Sequence, residues 1–184
     1  RSVGVTGVQT CALPISIEVK SLAQPYLVKR GVDYFEYQLP ISVKAVISLN
    51  GQIPLLRNER DEWELPGGKL DLGESPTACV QREVHEELNI DISVGMNVHN
   101  WVYTIFPYRH VFVVTYFAKA VEGATPHFSH EHKELILVSP DEVNKLNMPE
   151  GYKVAIRQVL ELGLFKQKYY LHSNAHEVRS GLCE

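Results

Sequence analysis

Two hydrophobic periods run along this chain, and the switch between them marks its elements. Ile41 to Leu49 (ISVKAVISL) is β-branched and partly alternating, the pattern of a strand. Asn50-Gly51 follows, a pair suited to the positive φ angles of a tight hairpin turn, so Ile53 to Arg57 is expected to return as a second strand. Pro54 has no N–H to give to a ladder, which predicts an edge strand or a strand start there. Between Ser75 and Asn89 the period lengthens. Val80, Val84 and Leu88 recur every four residues, with Thr77 beside them, as the buried stripe of a helix. Ser75 is a good N-cap, and Pro76 occupies the first helical position, where a missing N–H costs nothing. Asn89 tolerates the left-handed conformation that ends a helix.

The flanks are read in the same way. Ile17 to Lys20 predicts a short strand, and Tyr26 to Tyr37 an aromatic lead-in that turns at Gly31. Asn58 to Asp61 is a polar loop before the short Trp63 to Leu65. Past the helix, Ile92 to Val94, His99 to Phe106 and His110 to Val121 read as strands, the last being the most apolar. A loop from Glu122 to Lys133 carries His127, His130, Glu131 and His132, and Leu135 to Val138 is a short strand. Ser139-Pro140 opens a short helix through Leu146. Tyr152 to Leu162 is an amphipathic helix anchored by Val154, Ile156, Val159 and Leu160, with Gly163 as its stop. Strands, helix, strands, helices is the order of an α+β chain or an α/β/α sandwich.

Composition narrows the function classes. At 184 residues, with 45% apolar and 22% charged side chains, the chain suits one domain with a sizeable core. A net charge of −4 gives no electrostatic footprint for a nucleic acid polymer or a membrane. A nucleotide stays in play, because a metal ion can meet its phosphates. Cys11, Cys79 and Cys183 are scattered and odd in number, which predicts no disulfide framework and a reducing, cytoplasmic setting. Val5 to Ile15 resembles the conceptual translation of a sequencing adapter. The expected division is therefore a non-native leader over 1–15, one folded domain over 16–166 and a polar tail over 167–184.

Chemistry concentrates between Leu65 and Ile90 (LPGGKLDLGESPTACVQREVHEELNI). Glu83 and Glu87 are one helical turn apart and Glu86 lies three residues from Glu83, so the three carboxylates share a flank beside the apolar stripe. Like charges at that spacing repel and need compensation; a solvated acidic face is the plain alternative. Pro66-Gly67-Gly68 tips the balance, since glycine lets backbone pass close to an ion or a phosphate. Carboxylate and carbonyl oxygens are the ligands of Mg2+, which often bridges to substrate phosphates.

Gly68, Glu74, Arg82, Glu83, Glu86 and Glu87, with Ile90 closing the run, resemble the Nudix box, with Asn89 where the family generally has glycine. Six specified positions at fixed spacing arise by chance on the order of once in ten million starts. The resemblance implies a Nudix α/β/α sandwich with a central mixed β-sheet, hydrolysing a nucleoside diphosphate linked to another moiety. It implies Glu83, Glu86 and Glu87 as ligands of Mg2+ (Mn2+ as a substitute), with the Gly67 carbonyl beside them. Arg82 and Glu74 would brace the loop against the helix, and Gly68 would support it. For the general base the resemblance offers Glu131, then Glu134, or a box glutamate.

Other side chains are read more plainly. His127, His130 and His132 match no familiar zinc spacing and are expected on a polar surface loop. His85 is expected exposed, Cys79 packed and Trp63 in the core. Trp101, Tyr103, Phe106 and Tyr108 either stack a nucleobase or fill the core. Pro107 and Tyr108 stand side by side, so the family's substrate marker leaves the choice open. ADP-ribose or a nucleotide sugar is the first expectation, partly from the aromatic N-terminal extension. Nucleoside triphosphates, oxidised ones included, come second and diadenosine polyphosphates third. A non-catalytic nucleotide-binding module is the reading from another class; the complete set of box glutamates weighs against it. The resemblance also raises a homodimer formed through the N-terminal strands.

Overall fold

A computed structural model describes residues 27–107, 109–128 and 132–166. The strand expected at Ile17 to Lys20, the 1–15 and 167–184 segments, Tyr108, His130 and Glu131 lie outside the described residues. The elements run β1 (Leu27–Lys29), β2 (Phe35–Tyr37), β3 (Ile41–Ser48), β4 (Ile53–Arg57), β5 (Trp63–Glu64), β6 (Gly67–Lys69), α1 (Pro76–Leu88), β7 (Ile92–Phe106), β8 (Arg109–Ala120), β9 (Glu134–Val138) and α2 (Glu150–Glu161). A 3-10 turn over Pro140–Lys145 precedes α2.

The central sheet is mixed, in the order β6-β3-β8-β7. β3 and β8 are parallel, from Ile41↔Phe112 to Ser48↔Lys119, while β6 and β7 are antiparallel to their neighbours. A second, antiparallel sheet has the order β5-β4-β9. On one face of the central sheet, α1 lays Cys79, Val80, Val84 and Leu88 against Val43, Ala45 and Ile47 of β3. On the other, Val46, Val113 and Phe117 meet Tyr152, Ala155, Ile156 and Val159 of α2, together with Ile53, Leu55 and Val138 of the second sheet. Each fully buried Val or Leu contributes roughly 1.5–3 kcal/mol. This is the expected α+β sandwich around a mixed sheet.

Local signals placed the helix well. Ser75 accepts a hydrogen bond from the Ala78 amide, and Asn89 adopts φ 53°, ψ 38° while its N–H bonds back to the His85 carbonyl. Asn50 and Gly51 take φ of 52° and 83°, as the hairpin turn requires. Gly163 ends the last helix at φ 66°.

Several expectations change. Thr77 is exposed, with its hydroxyl against Ser75 Oγ at 3.2 Å, and Cys79 takes its place on the buried stripe. β4 is the middle strand of its sheet, yet at Pro54 it has β9 alone beside it, because β5 pairs only with Leu56 and Arg57. β7 is one continuous strand with register shifts between Val94 and His99, and the shifts scramble the alternation that suggested two. α2 starts at Glu150, and its buried residues are Tyr152, Ala155, Ile156 and Val159, leaving Leu160 exposed. Among the described residues no helix is long and apolar enough to cross a membrane.

Candidate active site

β6 and α1 carry the acidic motif, and Arg82 is its hub. Its Nε and Nη2 donate to Glu74 Oε1 and Oε2 at 2.9 and 3.0 Å. Its Nη1 is shared between Glu83 Oε1 at 2.9 Å and Glu86 Oε2 at 3.2 Å, and Nη2 also reaches the Lys69 carbonyl at 3.3 Å. Such charge-assisted, forked contacts fix both position and orientation. The guanidinium holds the Glu74 carboxyl far below the carboxylate range, at about 2. Glu83 moves the opposite way: burial raises it, and Glu87 and Glu86 add to that against the pull of Arg82.

The Glu83 carboxylate lies directly over Gly68, where a Cβ would stand 2.3 Å from Oε2. Gly67 has its own constraint. Its φ is 124°, and a Cβ there would meet the Val43 carbonyl at 2.2 Å. Both glycines are therefore required, Gly68 by a side chain and Gly67 by the backbone of β3.

Glu87 turns inward. Its Oε2 accepts the Gly67 amide at 2.7 Å and its Oε1 pairs with His132 Nε2 at 2.8 Å, with both side chains largely buried. The hydrogen bond to Glu87 raises His132 above its ordinary value in spite of burial. The surface-loop expectation for His132 is thus corrected: its ring closes over a box glutamate 45 residues away. His127 and His85 are exposed, both as expected.

The Gly67 carbonyl accepts a hydrogen bond from the Lys44 ammonium. Lys44 is only 6% exposed and lies 3.5 Å from Glu64 Oε2. Burial disfavours its charge, but Glu64, Tyr152 and Glu87 outweigh that and hold it protonated. Cys79 is packed as expected, its Sγ 3.4 Å from the Lys69 carbonyl and its thiol pushed up to about 12 by burial and Glu74.

Beside this motif, across Gly67 to Lys69, opens a cavity of about 300 Å³. Four cations line it, Lys44, Arg60, Lys69 and Arg109, with the single carboxylate of Glu64 and the rings of Tyr103 and Tyr152. Arg60 is held by Glu62 at 2.9 Å and sits 5.9 Å from the centre of the Tyr103 ring, whose hydroxyl also donates to Glu62 at 3.0 Å. Asn58 Oδ1 fixes the loop by accepting the amides of Arg60 and Glu62.

Of the aromatic candidates, Tyr103 lines the cavity. Trp101 stacks behind it, 5.0 Å from Tyr103 and edge-on to Tyr152 at 5.3 Å, over Gly151, where a Cβ would strike its ring at 2.2 Å. Phe106 is exposed, and Trp63 packs partly against the core. Glu134 is engaged by Arg57 at 3.2 Å rather than by the box. Sequence reasoning missed Lys44, Arg60, Lys69, Arg109 and the role of His132. For Lys44 a signal existed: it is the one charge inside the apolar run ISVKAVISL.

The donor set suits a hard cation in part. Glu83 and Glu86 share one guanidinium nitrogen, so their carboxylates are neighbours, and Mg2+ commonly binds through one or two carboxylates plus water and phosphate oxygens. Among the described residues no three acidic, His or Cys side chains converge on one point.

Comparisons agree with this geometry. The NUDIX domain model matches residues 39–159. A MutT-like protein of Streptomyces ambofaciens is 30% identical over 117 residues, covering 63% of this chain and 73% of that protein. The CTP pyrophosphohydrolase of Escherichia coli strain K12 is 30% identical over 108 residues, 54% of this chain and 76% of that one. The crystal structure of a MutT protein from Methanosarcina mazei superposes with TM-score 0.60 at 26% identity, covering 68% of this chain and 95% of that one. With the box glutamates all present and the fold shared, this chain belongs to the NUDIX domain family, as a pyrophosphohydrolase acting on phosphoanhydrides.

Proposed function

We propose that this chain is a divalent-metal-dependent pyrophosphohydrolase of nucleoside triphosphates, releasing a nucleoside monophosphate and pyrophosphate. The observation that carries the reading is the cavity's charge: Lys69 and Arg109 line it beside Lys44 and Arg60, which are paired with Glu64 and Glu62. A triphosphate tail, open at one end, carries more charge than a diphosphate bridge closed on both sides, and so draws more from such a surface. The relatives named for CTP and for 8-oxo-dGTP support the same ordering, which sets ADP-ribose and nucleotide sugars below triphosphates.

Glu83, Glu86 and Glu87 would hold the ion, Mg2+ or Mn2+ in its place. When bound, such an ion would supply polarisation of the anhydride and a lower pKa for the attacking water. The chain's own groups do the rest. Arg82 ties the Glu83 and Glu86 carboxylates together through Nη1. Lys69 and Arg109 meet phosphate oxygens, and the Arg60–Tyr103 pair offers a flat face to the base. The base is assigned to Glu131 from its sequence position, three residues before the start of β9; Glu134 is tied to Arg57. Water adds its oxygen to phosphorus, the anhydride P–O bond breaks, one proton goes to the base and pyrophosphate leaves.

The test is a panel of nucleoside triphosphates, ADP-ribose, nucleotide sugars and dinucleoside polyphosphates, each with Mg2+ and with Mn2+. A kcat/KM for a triphosphate at least tenfold above that for ADP-ribose is expected. The reverse order overturns the substrate assignment.

A further inference from the structure

Lys44 is the charged group that the mechanism above leaves unexplained. It stands at the middle of β3, between Val43 and Ala45, both fully buried. Its ammonium is buried with it, bonded to the Gly67 carbonyl and 3.5 Å from Glu64, with Glu87 close enough to act on it electrostatically. Gly67 is held by its place in the sheet: it lies opposite Lys44 in the β3–β6 ladder, its φ of 124° brings it against the Val43 carbonyl, and its amide is fixed by Glu87 at 2.7 Å.

A rigid carbonyl oxygen beside two carboxylates is the donor set of a hard cation. Here an ammonium, a compact point charge with three donors, lies in that position on a side chain that cannot leave. It offsets Glu64 and part of the charge of Glu87 whatever the free metal concentration. Glu83 and Glu86 are bridged by Arg82 Nη1 rather than by Lys44, and their other carboxylate oxygens stay available to a metal ion.

We propose that Lys44 is a resident cation that holds the Gly67 carbonyl in place of a divalent ion, so that this chain takes up one ion fewer than its box would otherwise bind. The inference rests on the metal-dependent reading of the box. It concerns binding, so its test needs no substrate.

The experiment counts Mn2+ taken up by the full chain after chelation, from the electron paramagnetic resonance signal of free Mn2+, for wild type and for Lys44→Met. The variant is expected to bind one more ion per chain. Equal, non-zero counts overturn the role of Lys44 and leave the box assignment standing; no uptake by either protein overturns both. Should Lys44→Met not fold, the wild type decides through its 13C-labelled Gly67 carbonyl resonance. A signal unmoved by saturating Mg2+ supports the proposal, and a coordination shift overturns it.

Discussion

Adding a single methyl group to Gly67 or to Gly68 should separate stability from catalysis at adjacent positions. At Gly67 the new Cβ meets backbone, the Val43 carbonyl at 2.2 Å and Lys44 Cα at 2.9 Å, in the central strand of the sheet. The φ of 124° adds strain for any L side chain. Backbone strain of about 1–3 kcal/mol and overpacking of about 1–3 kcal/mol sum to roughly 4 kcal/mol for Gly67→Ala. At roughly 2–4 °C per kcal/mol for a chain of this size, Tm falls by about 10 °C. At Gly68 the methyl meets only the Glu83 carboxylate, at 2.3–2.6 Å, the far end of a flexible side chain. Glu83 swings aside, losing its 2.9 Å contact to Arg82, which is worth about 1 kcal/mol or less at a part-exposed pair. Displacing a metal ligand by that much lowers kcat on the order of 10²-fold. Thermal unfolding by circular dichroism and Mg2+-dependent pyrophosphate release, run on both variants, read the two effects. A Gly68→Ala protein destabilised as much as Gly67→Ala, or one with wild-type turnover, refutes the reasoning.

Other perturbations follow from the same contacts. Glu83→Gln and Glu87→Gln should each remove most Mg2+-dependent turnover in a steady-state assay, and normal rates in either would sink the ligand assignment. Glu131→Gln should lower kcat by about 10²-fold or more if that residue is the base; unchanged turnover would pass the role to a box glutamate. His132 is held above its ordinary value of 6.5 by Glu87, so its stabilising contribution is complete below that pH and is lost as pH climbs through the raised value. The metal-free protein's Tm should therefore decline above about pH 6.5 more steeply than that of His132→Gln, and parallel curves would count against the pair. Arg60→Ala should raise KM about tenfold with little change in kcat, since it removes the same interaction from ground and transition states; a kcat defect instead would place Arg60 in the chemistry.

What was legible in the sequence was what is local. Ser75, Pro76 and Asn89 bracket α1 because capping depends on a few neighbouring residues, and the box spacing survives because its members share one helix and its entry loop. The register shifts in β7 were hidden, since an extra residue in a strand destroys the alternation by which strands are recognised. His132 looked like one polar residue among several. Its partner lies 45 residues back, and only the return of the chain through β9 beside β4 brings them together. Lys44 was visible as an anomaly, a charge within a buried strand, but its meaning depended on where the Gly67 carbonyl points. Arg60 and Arg109 come from loops and strand ends 49 residues apart, so the cavity they share has no linear signature.

The central claim is that this box, with a divalent ion, directs water onto a nucleoside triphosphate to release pyrophosphate. Phosphorus NMR of a triphosphate incubated with the full chain and Mg2+ in 18O-labelled water tests it most directly. The account predicts a nucleoside monophosphate and pyrophosphate, one of them carrying the label, and no reaction once the ion is chelated. Free phosphate and a nucleoside diphosphate, or undiminished turnover in chelator, would contradict it.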